Sequence, residues 1–136
     1  MITPKNFIII LIATISVSTV ILLNPFSENP DFSNFTFDAV YLKDSNSVSI
    51  TFSDTNAKSS FAVLEILGME NTFHEEFEIS DSKFTKLVPL DKVPKYGWKT
   101  TPVTLEITYD DSVVYMKTEI HNEDEISPVV IFGQSD

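Results

Sequence analysis

The sequence predicts an all-β protein: an antiparallel sandwich of seven to eight strands, preceded by one N-terminal transmembrane helix. Three observations predict it. Phe7–Leu23 is an uncharged run of 17 residues. From Asn34 onward, apolar residues recur with a period of two, the period of a strand with one buried face. The segments with that period are short, roughly ten residues apart and separated by turn formers, the pattern of a sandwich or small barrel. No segment after Leu23 shows a 3.6-residue apolar period of helical length.

The N-terminal run comes first. Thirteen of its 17 residues are apolar, and the others are Thr14, Ser16, Ser18 and Thr19. Hydroxyl side chains can bond back to helix carbonyls, so hydrocarbon tolerates them. At ~1.5 Å per residue the run spans ~25 Å, the short end of a bilayer core. Lys5 precedes it, Glu28 and Asp31 follow it, and the next lysine is Lys43. Positive charge stays in the cytoplasm, so the expected localisation is a single-pass cell-membrane protein with a cytoplasmic N-terminus and an extracytoplasmic domain. Residues 1–24 are read as an uncleaved anchor, with a signal peptide as the alternative. Cleavage needs a pair of small residues, and Asn24-Pro25-Phe26-Ser27-Glu28 offers no good one. Residues 25–33 hold Pro25 and Pro30 and read as a stiff stalk.

Residues 34–133 read as the sandwich and 134–136 as a tail. Phe35, Phe37, Ala39 and Tyr41 alternate with Thr36, Asp38 and Val40, and Val48, Ile50 and Phe52 alternate with Ser and Thr. Lys43-Asp44-Ser45-Asn46 turns the chain between them. Phe61–Leu67 is apolar on both faces and reads as a central strand covered on both sides. Phe73–Ile79 places Phe73, Phe77 and Ile79 opposite His74, Glu76 and Glu78. Phe84–Leu90 contains Pro89, which makes it an edge strand or an irregular segment. Val103–Tyr109 and Val114–Ile120 alternate across an Asp110-Asp111-Ser112 turn, and Val129–Phe132 is a last short strand. The expected centre of the core is Ile50, Phe52, Leu64, Ile66, Leu105 and Ile107.

Composition narrows the function. The chain has nine lysines, no arginine, 20 acids and a net charge of -11. A phosphate backbone needs a basic footprint, so nucleic acid is not an expected partner. No cysteine means no disulfide, thiol nucleophile or iron–sulfur cluster. Three glycines, with neither G-x-G-x-x-G nor G-x-x-x-x-G-K-[ST], leave no phosphate-cradling loop. There is no G-x-S-x-G elbow and only two histidines can serve as bases, so the chain is not read as an enzyme and no cofactor is expected.

The strand count, the alternation and a domain of about 100 residues resemble fibronectin type III and other immunoglobulin-like sandwiches, over about Asn34 to Phe132. The absent cysteine pair favours the fibronectin type III flavour. The layout also resembles small exported, single-anchor proteins of archaea. That likeness is carried by the anchor, the segment VPLDKVPKYGWKTTPVTLEITYDD (Val88–Asp111) and the absence of Cys and Arg. Neither resemblance brings catalytic residues.

The candidate sites are few. His74, Glu76 and Glu78 share a face at two-residue spacing, where side chains can converge on one metal. His121 completes such a set only if its strand lies alongside. Glu123 and Asp124 sit in the densest acidic run, the kind of oxygen cluster hard cations favour. Against both stands the simpler reading of solvated polar surface. Asn34-Phe35-Thr36 is the one N-x-[ST] sequon. Tyr96 and Trp98 lie in a loop between Pro94 and Pro102, where aromatics serve as binding anchors or plug the end of a sandwich. The expected function is a non-catalytic module that binds another protein, a cell-surface component or a glycan. The alternatives are an accessory subunit of a membrane complex, held through the helix, and an exported divalent-metal-binding protein.

Overall fold

Alternating β-branched and aromatic residues form nine strands in the structure, a computed structural model that describes residues 32–135. The strands are β1 (Phe35–Leu42), β2 (Ser47–Asp54), β3 (Ser59–Ile66), β4 (Phe73–Glu78), β5 (Lys83–Pro89), β6 (Pro102–Tyr109), β7 (Ser112–Glu119), β8 (His121–Asn122) and β9 (Ile131–Ser135). They form a four-stranded sheet in the order β5-β2-β1-β8 and a five-stranded sheet in the order β4-β3-β6-β7-β9. All pairings are antiparallel except β1 with β8, which is parallel over Val40–Tyr41. The expected anchor lies outside the described residues, as does all of the stalk but Phe32 and Ser33. Among the described residues no helix is long and apolar enough to cross a membrane.

The core lies between the two inner faces. Ile50, Leu64, Ile66 and Ile107 are fully buried, and Phe52 and Leu105 are 2% and 1% exposed. All six expected core residues are therefore in place. Phe84–Leu90 is an edge strand with Pro89 at its end, where no further ladder bond is needed. One expectation needs correction. β3 lies inside its sheet but is covered on one face only: Ala62, Leu64 and Ile66 are buried, whereas Phe61 is 37% exposed. Two layers leave every strand one outer face, whatever its composition. The last strand begins at Ile131 rather than Val129 and continues through Gln134 and Ser135, residues read from the sequence as a tail.

The sheets are stitched along the β4–β5 side. Phe77 meets Phe84 edge-on with ring centroids 4.9 Å apart. Lys86 Nζ lies 2.8 Å from Glu75 Oε1 and 4.3 Å from the Phe77 ring centroid. The β2–β3 turn is organised by Asp54. Its carboxylate accepts hydrogen bonds from the N–H groups of Asn56, Lys58 and Ser59 (2.9, 2.9 and 3.0 Å) and from the Ser59 hydroxyl (2.8 Å). Burial pushes this carboxyl upward and is the largest single influence. The four donors together outweigh it and hold the group below the usual carboxylate range.

Register sets the two ends of the sandwich. Phe35 pairs with Asp54 at one end, and Leu42 pairs with Ser47, itself beside Pro89, at the other. Phe32, where the described chain begins, is at the first end. The loops 67–72 and 90–101 are at the second.

Candidate functional site

Two loops at the second end frame a cleft of about 620 Å3. Their sequences explain why it stays open. Loop 90–101 contains Pro94 and is bounded by Pro89 and Pro102, three residues without the N–H a ladder needs, and it is tied to the β1–β2 turn through its first residue, whose N–H donates to the Asn46 carbonyl (3.0 Å). Met69, Phe73, Val88, Leu90 and Val93 give the cleft apolar walls. Glu70 and Lys92 form an ion pair across the loops, with 3.4 Å between Oε2 and Nζ. The size is that of a small-ligand or side-chain pocket.

The walls are held by backbone. Gly68 has φ 77°, and a Cβ there would lie 1.8 Å from the Thr100 carbonyl oxygen. Glycine is thus required both for the left-handed conformation and for the close approach of the two loops. Asn46, in the β1–β2 turn, donates from Nδ2 to the Leu90 carbonyl (2.9 Å) and accepts from the Tyr41 hydroxyl (2.8 Å). The turn therefore anchors the start of loop 90–101.

The two aromatic candidates separate. Trp98 opens a short 3-10 turn over Trp98–Thr100 and is half-buried, its ring 4.9 Å from that of Tyr41. Its Nε1 donates to Asn122 Oδ1 (3.3 Å). It is the plug. Tyr96 is 81% exposed, and Val93, on the cleft wall, is 49% exposed. Lys95 stands 5.7 Å from the Tyr96 ring centroid.

The metal candidates do not converge. His74, Glu76 and Glu78 lie on the outer face of β4, where His74 pairs with Glu65 (3.4 Å) and Glu76 (3.7 Å). His121 is in the other sheet, so the condition that its strand lie alongside is not met. It is buried at 5% exposure. Its Nδ1 donates to the Asn122 carbonyl, and its Nε2 lies 2.8 Å from Asp38 Oδ1 and 3.3 Å from Ser127 Oγ. His121 ties the segment after β8 to β1. Glu123 and Asp124 are exposed in the turn beyond it. Among the described residues no group of three or more His, Cys, Asp or Glu is arranged to hold a metal ion.

Asn34 ends a short 3-10 turn, and its side-chain and main-chain oxygens accept from the Thr55 hydroxyl (3.3 and 3.4 Å). It is half-buried and Thr36 is exposed.

The outer face of the five-stranded sheet carries a carboxylate set that alternation alone did not single out. Glu106 stands among Glu65, Glu76 and Tyr115. Burial pushes its carboxyl up, and repulsion from Glu65 and Glu76 adds to the rise. Met69, Phe73 and Val93 were also missed as wall residues of one cleft. The available signal was three prolines and three lysines from Pro89 through Pro102, a connection too long and too proline-rich for a tight strand turn. No family model, curated protein or solved structure matches the chain.

Proposed function

We propose that the chain is a non-catalytic interaction module: a fibronectin type III-like sandwich carried on an N-terminal membrane anchor, binding a protein or glycan through the loops at its far end. The observation that carries this reading is the position of the cleft. It opens at the end opposite Phe32, so an anchor at Phe7–Leu23 would present it away from the membrane. Val93 and Tyr96 offer exposed apolar surface beside it.

The strand order supports the fold-family part. β1, β2 and β5 share one sheet, and β3, β6 and β7 share the other. The fourth strand pairs with the third, unlike the constant-type immunoglobulin arrangement, where it joins the first sheet. This favours the fibronectin type III comparison, with β8 and β9 as additions. The histidines support the non-catalytic part, since His121 is engaged in structural bonds and His74 lies on an exposed face beside Glu65 and Glu76.

The test is a titration of the isotope-labelled full chain with short apolar peptides and with neutral oligosaccharides, followed by NMR. Shifts are expected at Met69, Phe73, Val93 and Tyr96 with one probe class, lost in Val93→Asp and kept in Thr85→Asp. No shift at those residues with either class would overturn the reading. For the anchor, the membrane-extracted protein is expected to have its full-length mass. A mass short by ~25 residues would show a cleaved signal.

A further inference from the structure

Each sheet of an open sandwich ends in two edge strands whose outward backbone groups have no partner within the sheet, and proteins guard such edges against unwanted pairing. Here the edges are β5 and β8 of one sheet and β4 and β9 of the other. Three of them are guarded. β5 carries Lys83 and Lys86 and ends in Pro89. β4 carries His74, Glu75, Glu76 and Glu78. β8 has only two residues.

β9 has none of these devices. Its sequence, IFGQS, contains neither charge nor proline. It ends the run Ile126–Ser135, ten residues without a charge and the longest such run among the described residues. The next longest, Ser45–Ser53, contains most of β2, which lies inside its sheet between β1 and β5. β9 therefore has the composition of an interior strand in an edge position. Ile126, Val129 and Ile131 beside that edge are 95%, 84% and 64% exposed.

We propose that β9 is a pairing edge and that its occupant is β9 of a second copy of this chain, antiparallel about a two-fold axis at Gly133. Charge admits a second copy at this edge. At a net charge of -11, two copies repel over most of their surface, and the uncharged run is where they meet without opposing like charges in the paired strands. Strand length selects the register. Centring on Gly133, the middle residue of β9, pairs every residue of the strand and sets Ile131 of one copy opposite Ser135 of the other. Glycine on the axis removes the side chain that would otherwise face its own copy. The two five-stranded sheets then run on as one.

The absence of cysteine makes the test clean. Full-length Ile131→Cys mixed with full-length Ser135→Cys under mild oxidation is expected to give mainly the disulfide-linked heterodimer. Opposed Cβ atoms of an antiparallel pair lie about 4.5–5.5 Å apart, close enough for a bridge after a small adjustment. Thr85→Cys, on β5, mixed with Ser135→Cys is expected to give none. By sedimentation, the unlinked full chain is expected to be a dimer that strengthens with salt, as repulsion is screened, and that is lost in Ile131→Lys. The proposal is overturned by a heterodimer yield no higher than that of the Thr85→Cys mixture. It is equally overturned if the full chain is a monomer, or if a dimer survives Ile131→Lys.

Discussion

The two ends of the sandwich draw on the same aromatic-rich stock and are finished differently. At the end where β1 begins, Phe32 stacks on Phe132 with centroids 4.5 Å apart, and Phe35 meets Tyr109 edge-on at 5.2 Å and Phe52 at 6.0 Å. Asp54 draws the β2–β3 turn down with four hydrogen bonds. At the far end one aromatic contact, Trp98 on Tyr41, does the plugging, and a cleft remains. The difference shows what closes a sandwich. Rings on inward-facing strand positions stack across the gap between sheets. A proline-spaced loop supplies no alternating inward row, so its end stays partly open.

The sharpest break of this comparison falls at Gly68. Gly68→Ala is expected to cost about 3 kcal/mol, because the new Cβ meets backbone and the residue is held in the left-handed region. Gly97 has φ 86° and ψ -177°, a backbone region almost reserved for glycine, but open space around its Cβ position, so Gly97→Ala is expected to cost about 2 kcal/mol, from backbone strain alone. Urea denaturation of both variants checks the pair. Equal costs would mean that the Gly68–Thr100 approach does not hold the cleft.

At the filled end, Asp54→Ala is expected to cost about 2 kcal/mol at neutral pH, since it strands three backbone N–H groups and a hydroxyl. The sign with pH follows from the lowered carboxyl. Its contribution is fully present above the ordinary carboxylate range and is lost as pH falls through the lowered native value. The gap in stability between wild type and Asp54→Ala should therefore narrow in acid. A gap that stayed constant with pH would show that the carboxylate charge is not what the turn uses.

The smallest effect belongs to neither end. Glu106, midway along the outer face, has a raised carboxyl, so its ionisation works against the fold. The protein keeps the full benefit below the ordinary glutamate range and loses it as pH rises through the raised native value. Glu106→Gln is expected to raise the melting temperature slightly at neutral pH and to leave it unchanged in mild acid. A lowered melting temperature at neutral pH would mean that the carboxylate has a favourable partner.

Much of the fold was legible in the alternation of Val48, Ile50 and Phe52, or of Val103, Leu105 and Ile107, because period-two burial is a local property of an extended chain. That Phe61 is exposed and Val63 only half-buried was not. Their apolar character looks the same whether or not a third layer covers them. The candidate site was half legible. Tyr96 and Trp98 stood out as loop aromatics between prolines, but which one plugs and which one projects depends on Tyr41, far away in the chain. His121 looked like a possible ligand because chemistry alone cannot show that Asp38, Asn122 and Ser127 already surround it.

By itself, then, the sequence determined that residues 34 onward form short strands and which side chains on most of them face inward. Only tertiary structure decided which sheet each strand joined. That choice put His74 and His121 in different sheets, left β9 as an unguarded edge and brought Gly68 against Thr100 to frame a cleft. The physical reason is range. Alternation and turn chemistry act over a few neighbouring residues. Strand partnership and loop contact are settled by residues distant in sequence, through packing that no local pattern records.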